Sequence, residues 1–206
     1  MLTNDIDIRL ALDERLQRKH GNDPNVLIRH ELGVDMGNRR VDLAVLNGHL
    51  AGWEIKSDRD TLLRLPEQAD AFSKVMDYLT IVTTAKYLDR CAEMLPKTWG
   101  LQEAIKGPRG VRIVNRRAPR LNRHTDSFAI AQLLWREEAL EELKLRGEAR
   151  GLSSKPRYTI WQRLSEVVPK KELRSIVLSR LKRRQEWTGG HLPAPCGGSE
   201  RMRSTV

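Results

Sequence analysis

The sequence predicts an α/β fold, a mixed β-sheet with helices packed on it and a helical extension at the C-terminal end. Three observations lead there. Apolar residues recur at helical spacing near the N-terminus, at Ile8, Leu12 and Leu16. Three strand-length segments follow in close succession, divided by turn-forming residues. A helix-spaced stretch then leads into a segment rich in β-branched residues, and a strand–helix–strand succession requires a crossover between parallel strands.

Each element has a local reason. In residues 5–20 the apolar stripe has charges on the other faces; Asn4 or Thr3 can cap it, and Gly21-Asn22-Asp23-Pro24 stops it. VLIRHELGV (26–34) is the first strand and is followed by the turn Asp35-Met36-Gly37-Asn38. RRVDLAVL (39–46) and HLAGWEIKS (49–57) are the second and third, and Asn47-Gly48 between them predicts a type I′ hairpin, a turn that needs positive φ at both residues. Leu65, Ala69, Phe72 and Met76 repeat at three or four, and Pro66 places the helix start near Leu65, with the proline in the first turn. YLTIVT (78–83) reads as a buried strand, 86–95 as a short helix and GVRIVN (110–115) as a further strand. The predicted units are a core over 1–115, a basic linker over 116–126, and a basic helical extension over 127–187. The extension reads as one long helix over 127–150 and two short ones near 158–167 and 170–186. The Gly/Pro/Ser-rich segment 188–206 reads as a disordered tail. The two short helices around Pro169 invite a helix-turn-helix reading, but their turn lacks glycine and no base-reading positions stand out.

Charge divides the 206 residues unequally. The chain has 37 Lys plus Arg against 27 Asp plus Glu, a net of +10. Residues 1–105 contribute 14 basic and 17 acidic side chains, so the excess lies entirely in the second half. A basic half suggests a polyanionic partner, and a slightly acidic half suggests carboxylates with a specific task. No apolar run reaches the ~18–20 residues of a membrane span. The N-terminus lacks the basic-then-apolar order of a secretory signal. Cys91 and Cys196 have neither metal-type nor redox-type spacing. These features point to a reducing cytoplasm.

The residues with chemical promise sit on the three-strand unit. Glu54 and Lys56 are two apart and share a face, with Ile55 turned the other way into apolar packing. A tight hairpin brings Asp42 beside Glu54. Two carboxylates meeting among Val41, Leu43, Val45 and Ile55 repel each other unless a cation or a proton intervenes. Hard oxygen ligands with open water positions suit magnesium, and a nearby ammonium can offset charge growing on a phosphate. The plainer alternative is a cross-strand salt bridge between Asp42 and Lys56, worth ~0.2–1 kcal/mol.

Asp42 followed by Glu54-Ile55-Lys56 after a short hairpin resembles the PD-(D/E)XK nuclease superfamily, whose members share an αβββαβ core. Gln68 and Phe72 resemble the Gln-x-x-x-Tyr motif of its RecB-like branch, with phenylalanine in place of tyrosine. The run from Arg40 to Thr84 is similar to an uncharacterised bacterial group assigned to that superfamily. The resemblance spans residues 25–105 and, more loosely, the helical region to about 187.

The resemblance implies a restriction-endonuclease-like core and metal-dependent hydrolysis of nucleic-acid phosphodiesters, with DNA as the expected substrate and Mg2+ as the metal (Mn2+ as a substitute). Asp42 and Glu54 would be the metal-binding carboxylates, with the Ile55 carbonyl as a further ligand. Lys56 would be the catalytic lysine and Gln68 would contact the metal-bound water or a phosphate. Glu31 is preferred to Glu14 as the additional acidic residue. Arg59 and Arg64 either pair with a phosphate or bridge to Glu67 or Asp60, and Asp58 and Asp60 read as polar residues opening the following helix. Arg174, Arg180, Lys182, Arg183 and Arg184 on the last helix could follow a phosphate backbone. His30 and His49 read as strand-surface histidines without evident partners. Trp99 reads as a packing aromatic, with base stacking as the alternative. Many nucleases of the superfamily cut as dimers, though no dimer motif is visible. The competing expectation is a non-catalytic nucleic-acid-binding protein on the same scaffold.

Overall fold

The computed structural model describes residues 3–184. The stripe Ile8, Leu12, Leu16 lies on α1 (Asp5–His20), whose N-terminus is capped by Asn4 as its side chain accepts the Asp7 N–H at 2.8 Å. The three predicted strands are β1 (Leu27–Val34), β2 (Arg39–Leu46) and β3 (Leu50–Lys56), joined as an antiparallel meander. The helix predicted to start at Leu65 is α2 (Leu65–Ser73), with its proline in the first turn. It crosses over to β4 (Tyr78–Thr83), which runs parallel to β3. After α3 (Leu88–Met94) come β5 (Gly100–Gly107), parallel to β4, and β6 (Gly110–Arg117), antiparallel to β5. The result is one six-stranded mixed sheet whose spatial order follows the sequence.

Both faces of this sheet are covered, because alternate residues on its central strands are apolar on either side. One face packs α1: Ile8, Leu12 and Leu16 meet Leu43, Val45, Ile55 and Val82. The other face carries α2, α3 and the C-terminal helices α4 (Ser127–Ala131), α5 (Arg136–Leu145), α6 (Arg157–Val167) and α7 (Lys170–Arg183). Here Leu32, Leu46 and Phe72 belong to the same apolar cluster as Ile130, Trp161 and Leu181. None of these helices is long and apolar enough to cross a membrane.

Three expectations change, and one strand is found where none was expected. The β2–β3 connection is not a two-residue type I′ turn. Leu46 pairs with Leu50, leaving a three-residue loop, and only Gly48 takes a positive φ, of 91°. Residues 100–107, with Gln102, Glu103 and Lys106 among them, have little intrinsic strand preference; they form β5 because β4 and β6 pair with them on both sides. The long helix over 127–150 breaks after α4. Leu133 and Leu134 both turn inward there, the Leu134 carbonyl accepts the Trp161 indole N–H at 3.0 Å, and Gly147 and Gly151 adopt φ of 73° beyond α5. The stretch expected as a basic linker is partly the end of β6, and the rest is tied down: the Asn122 amide donates to the carbonyls of Ser73 (2.6 Å) and Met76 (3.0 Å), and the Asp126 N–H to that of Lys74 (2.8 Å). The segment expected as a tail lies outside the described residues.

The packing of α1 gives a direct test. Leu12 has no exposed surface, so Leu12→Ala is expected to lower unfolding stability by about 2–5 kcal/mol, read as a shift in denaturation midpoint.

Candidate functional site

The β2–β3 ladder pairs Leu46 with Leu50 through to Leu43 with Trp53 and stops there. One residue further on, the Asp42 carboxylate takes the place of a backbone acceptor: its Oδ2 accepts the Ile55 N–H at 2.7 Å. The two strands therefore part around a side chain. On the other side of β2 the ladder skips Glu31, which lies between the pairs His30–Leu43 and Leu32–Val41 and adopts φ of 53°. A left-handed conformation in a non-glycine residue costs of order 1–3 kcal/mol and persists only where its surroundings hold it.

Glu54 and Lys56 stand on the same face of β3, as the two-residue period requires, and both are buried. Lys56 Nζ lies 2.5 Å from Glu54 Oε1, and the Gln68 amide on α2 donates to the same oxygen at 2.6 Å. Two acceptors are left over: Glu54 Oε2 and Gln68 Oε1 are buried and accept no hydrogen bond. Asp42, Glu54, Ile55, Lys56 and Gln68 line a cavity of about 360 Å³, with Arg64 at its wall. Buried acceptors without donors are rare in folded proteins and mark a place where a further group belongs.

Arg9 of α1 was not among the residues singled out from the sequence. Its guanidinium reaches Asp42 Oδ1 (2.6 Å), the Asp42 carbonyl (3.2 Å), Glu31 Oε1 (2.9 Å) and Asp5 Oδ2 (3.3 Å). Asp42, Glu31 and Asp5 thus share a cation supplied by the chain itself, while Glu54 is paired with Lys56. A signal for Arg9 was present. Arg9 directly follows Ile8 at the N-terminal end of the buried stripe, so it flanks the face that docks on the sheet.

The remaining candidates fall in different places. Arg59 and Arg64 are exposed. Their proposed partners are engaged elsewhere: Glu67 pairs with Arg39 at 2.6 Å, and Asp60 accepts the Ser57 N–H at 2.7 Å. Asp58 accepts the Thr3 N–H (2.8 Å) and the Thr84 hydroxyl (2.6 Å), so Asp58 and Asp60 brace the turn after β3 rather than open α2. On α7 and at its C-cap Arg184, Arg180 is bound to Glu141 (2.7 Å) and Glu142 (2.5 Å), Arg184 to Glu138, Arg174 to Asp77, and Lys182 to the Asn25 carbonyl at 2.5 Å. Arg183 is exposed. Much of the basic stripe is therefore neutralised within the molecule. Glu14 is exposed and lines a separate cavity. His30 and His49 do have partners: His30 Nε2 is 3.0 Å from Asp13, and His49 Nδ1 is 3.7 Å from Asp77. Trp99 is buried and packs, donating its indole N–H to Ser73 at 3.2 Å.

Residues 2–192 match the family described as bacteriophage P4 protein cII. The chain belongs to that family. It is similar to protein cII of Enterobacteria phage P4, with 25% identity over 201 residues that cover 98% of this chain and 75% of the relative. Among solved structures, a protein of unknown function from Silicibacter pomeroyi aligns over 74% of this chain and all of its own, with 18% identity and a TM-score of 0.41. The span shared with the P4 cII family takes in Arg9, Glu31, Asp42, Glu54, Lys56 and Gln68 together with the C-terminal helices.

The electrostatics of this cII-family site follow from burial. Burial, reinforced by the charge on Asp42, pushes the Glu54 carboxyl up to about 8, against the pull of Lys56 and Gln68. Burial also raises Asp42 above the ordinary aspartate range, in spite of Arg9 and the Ile55 N–H. For Arg9, burial lowers the pKa, but the charges on Asp42, Asp5 and Glu31 outweigh it and hold the guanidinium above its usual value.

Two predictions follow from these groups. Between the ordinary glutamate value of 4.5 and about 8, the folded protein holds a proton on Glu54 that the unfolded chain releases. Stability in metal-free buffer is therefore expected to fall as pH rises through that window, with Glu54→Gln flattening the dependence in thermal melts. Arg9→Met leaves Asp42 buried without its cation and is expected to cost about 3 kcal/mol at neutral pH, measured by urea denaturation.

Proposed function

We propose that this protein is a metal-dependent nuclease that hydrolyses phosphodiester bonds, in DNA in the first instance. The observation that carries the reading is the pair of orphaned acceptors, Glu54 Oε2 and Gln68 Oε1, in one cavity with Asp42 and Lys56. Support also comes from the order of elements: α1, the β1–β3 meander, α2 and β4 follow the αβββαβ order of the PD-(D/E)XK superfamily that the sequence resembles.

The donor set has the right chemistry for magnesium, which takes carboxylate and carbonyl oxygens and keeps several waters. Among the described residues, no three His, Cys, Asp or Glu side chains gather as a ready metal cluster. The ion would therefore rest on Asp42, Glu54 and the Ile55 carbonyl, a sparse set of the kind Mg2+ accepts, and Glu31 would remain with Arg9. When bound, Mg2+ would supply a polarised water and neutralise charge at the phosphate. The chain's own residues do the rest. Lys56 fixes the orientation of Glu54 and places an ammonium where negative charge grows on the phosphate. Gln68 donates to the same Glu54 oxygen as Lys56 and keeps its own carbonyl oxygen free to accept from a water. Arg64 and Arg59 lie exposed at and near the cavity wall, where a phosphate can be bound.

One observation favours a second reading, a nucleic-acid-binding protein without catalysis: both Asp42 oxygens are already taken, by Arg9 and by the Ile55 N–H. The readings separate in one assay of labelled single-stranded and duplex DNA with Mg2+, with EDTA, and with variants. A nuclease is expected to cut only with the metal, to lose cutting in Asp42→Ala, and to lose about 100-fold or more in Lys56→Ala. DNA binding that survives EDTA, weakens with salt and comes with no cutting would establish the second reading.

A further inference from the structure

Beside the carboxylate cavity lies another, of about 550 Å³, and the two share Glu31 and Arg40 in their walls. Its volume is within the ~300–1,000 Å³ of ordinary ligand sites. The far wall comes from the break between α4 and α5 and from the start of α6, and presents Trp135, Arg136 and Arg157. Trp135 is 52% exposed, unusual for so large an aromatic. Its backbone N–H is held by Glu138 Oε2 at 2.7 Å, and the Arg184 guanidinium lies 4.3 Å from its ring centroid. Arg184 is itself anchored on Glu138 and on the Leu133 carbonyl. Arg184 lines the same cavity, so the half-exposed indole is fixed there beside a cation as a preorganised platform.

The charges around it favour an anion. Arg157 stands at the start of α6, with its guanidinium 5.4 Å from the Trp161 ring. Arg40 is exposed on β2, two residues before Asp42, which places it between the platform and the carboxylates. Neither has a carboxylate partner among the described residues. The acidic residues of the same wall are already balanced: Glu31 is bound by Arg9, and Glu137 lies 3.5 Å from Arg136.

We propose that this cavity binds an unpaired nucleotide of a single-stranded nucleic acid, with its base stacked on Trp135 and the flanking phosphates on Arg157 and Arg40. The strand then runs from the platform past Arg40 to Asp42 and Glu54. A base inside a duplex has both faces covered and cannot offer one to an indole, whereas an exposed aromatic beside cations is how proteins hold single strands. This inference rests on the nuclease reading for its choice of ligand class and specifies the substrate of that site as single-stranded.

The test uses the full chain in EDTA, with binding read by fluorescence anisotropy of a labelled oligothymidylate of about 12 nucleotides and of a duplex of the same length. The wild type is expected to prefer the single strand, Trp135→Ala to weaken it about ten-fold or more, and Trp135→Phe to keep most of the affinity. Arg157→Gln is expected to reduce the salt dependence of binding by about one phosphate contact. Single-strand affinity unchanged in both Trp135→Ala and Arg157→Gln would overturn the proposal, as would a preference for the duplex. Cleavage measured in parallel with Mg2+ separates the two levels. Duplex cutting that is equal in wild type and Trp135→Ala sinks the single-strand inference and leaves the nuclease reading standing, whereas a wild type that neither binds nor cuts either substrate ends both.

Discussion

The Arg9 guanidinium, mostly buried between α1 and the sheet, is the contact on which the open end of the meander depends. It binds carboxylates from three elements, Asp5 of α1, Glu31 of β1 and Asp42 of β2. Without a positive charge there, those groups would repel at close range in a poorly solvated place. With it, α1 is locked in azimuth, Glu31 is held in a backbone conformation that glutamate rarely adopts, and Asp42 is steered into the gap where it accepts the Ile55 N–H. The apolar stripe of α1 provides most of the docking energy, but a stripe is tolerant of small rotations and slides. The guanidinium, with donors in a fixed plane, is not.

The sheet divides its work between its faces. Ile55 points into the layer beneath α1, while Glu54 and Lys56 point to the side of α2. Three successive residues of β3 thus bind the strand to one helix and present a charged pair to another. The gap between β2 and β3 is polar, yet it is enclosed by apolar layers above and below, which is why burial dominates the protonation of Glu54. A solvent-exposed pair with the same spacing would be an ordinary surface ion pair.

What was legible in the sequence was whatever depends on short-range pattern. The Ile8/Leu12/Leu16 stripe, the strand over 39–46, the helix start set by Pro66 and the β-branched strand over 78–83 stand where the spacing placed them. So does the shared face of Glu54 and Lys56. The misses come from partners distant in the chain. Segment 100–107 is a strand because of its neighbours on both sides. The helix over 127–150 breaks because Trp161 and Arg184, remote in sequence, claim the carbonyls of Leu134 and Leu133. Arg9 meets Glu31 and Asp42 only once α1 has docked, and the histidines find Asp13 and Asp77 in the same way. The bonds from α7 and Arg184 to Glu138, Glu141 and Glu142 could not be anticipated from charge counts, since these report how many cations exist and not which are already spoken for.

The continuity of the apolar layer between the sheet and the C-terminal helices bears on how the chain is made. The face formed by Leu32, Leu46 and Phe72 is completed by Ile130, Trp161 and Leu181. During synthesis, the strands emerge from the ribosome long before these helices exist. That face is only partly covered, by α2 and α3, until residues 127–183 have been made, and closing it brings together segments as far apart as Lys182 and Asn25. Such nonlocal closure is slow and leaves a transient sticky surface. The apolar layer of this molecule is therefore complete only once α7 is in place, and until then its uncovered part is a site for contacts with other chains.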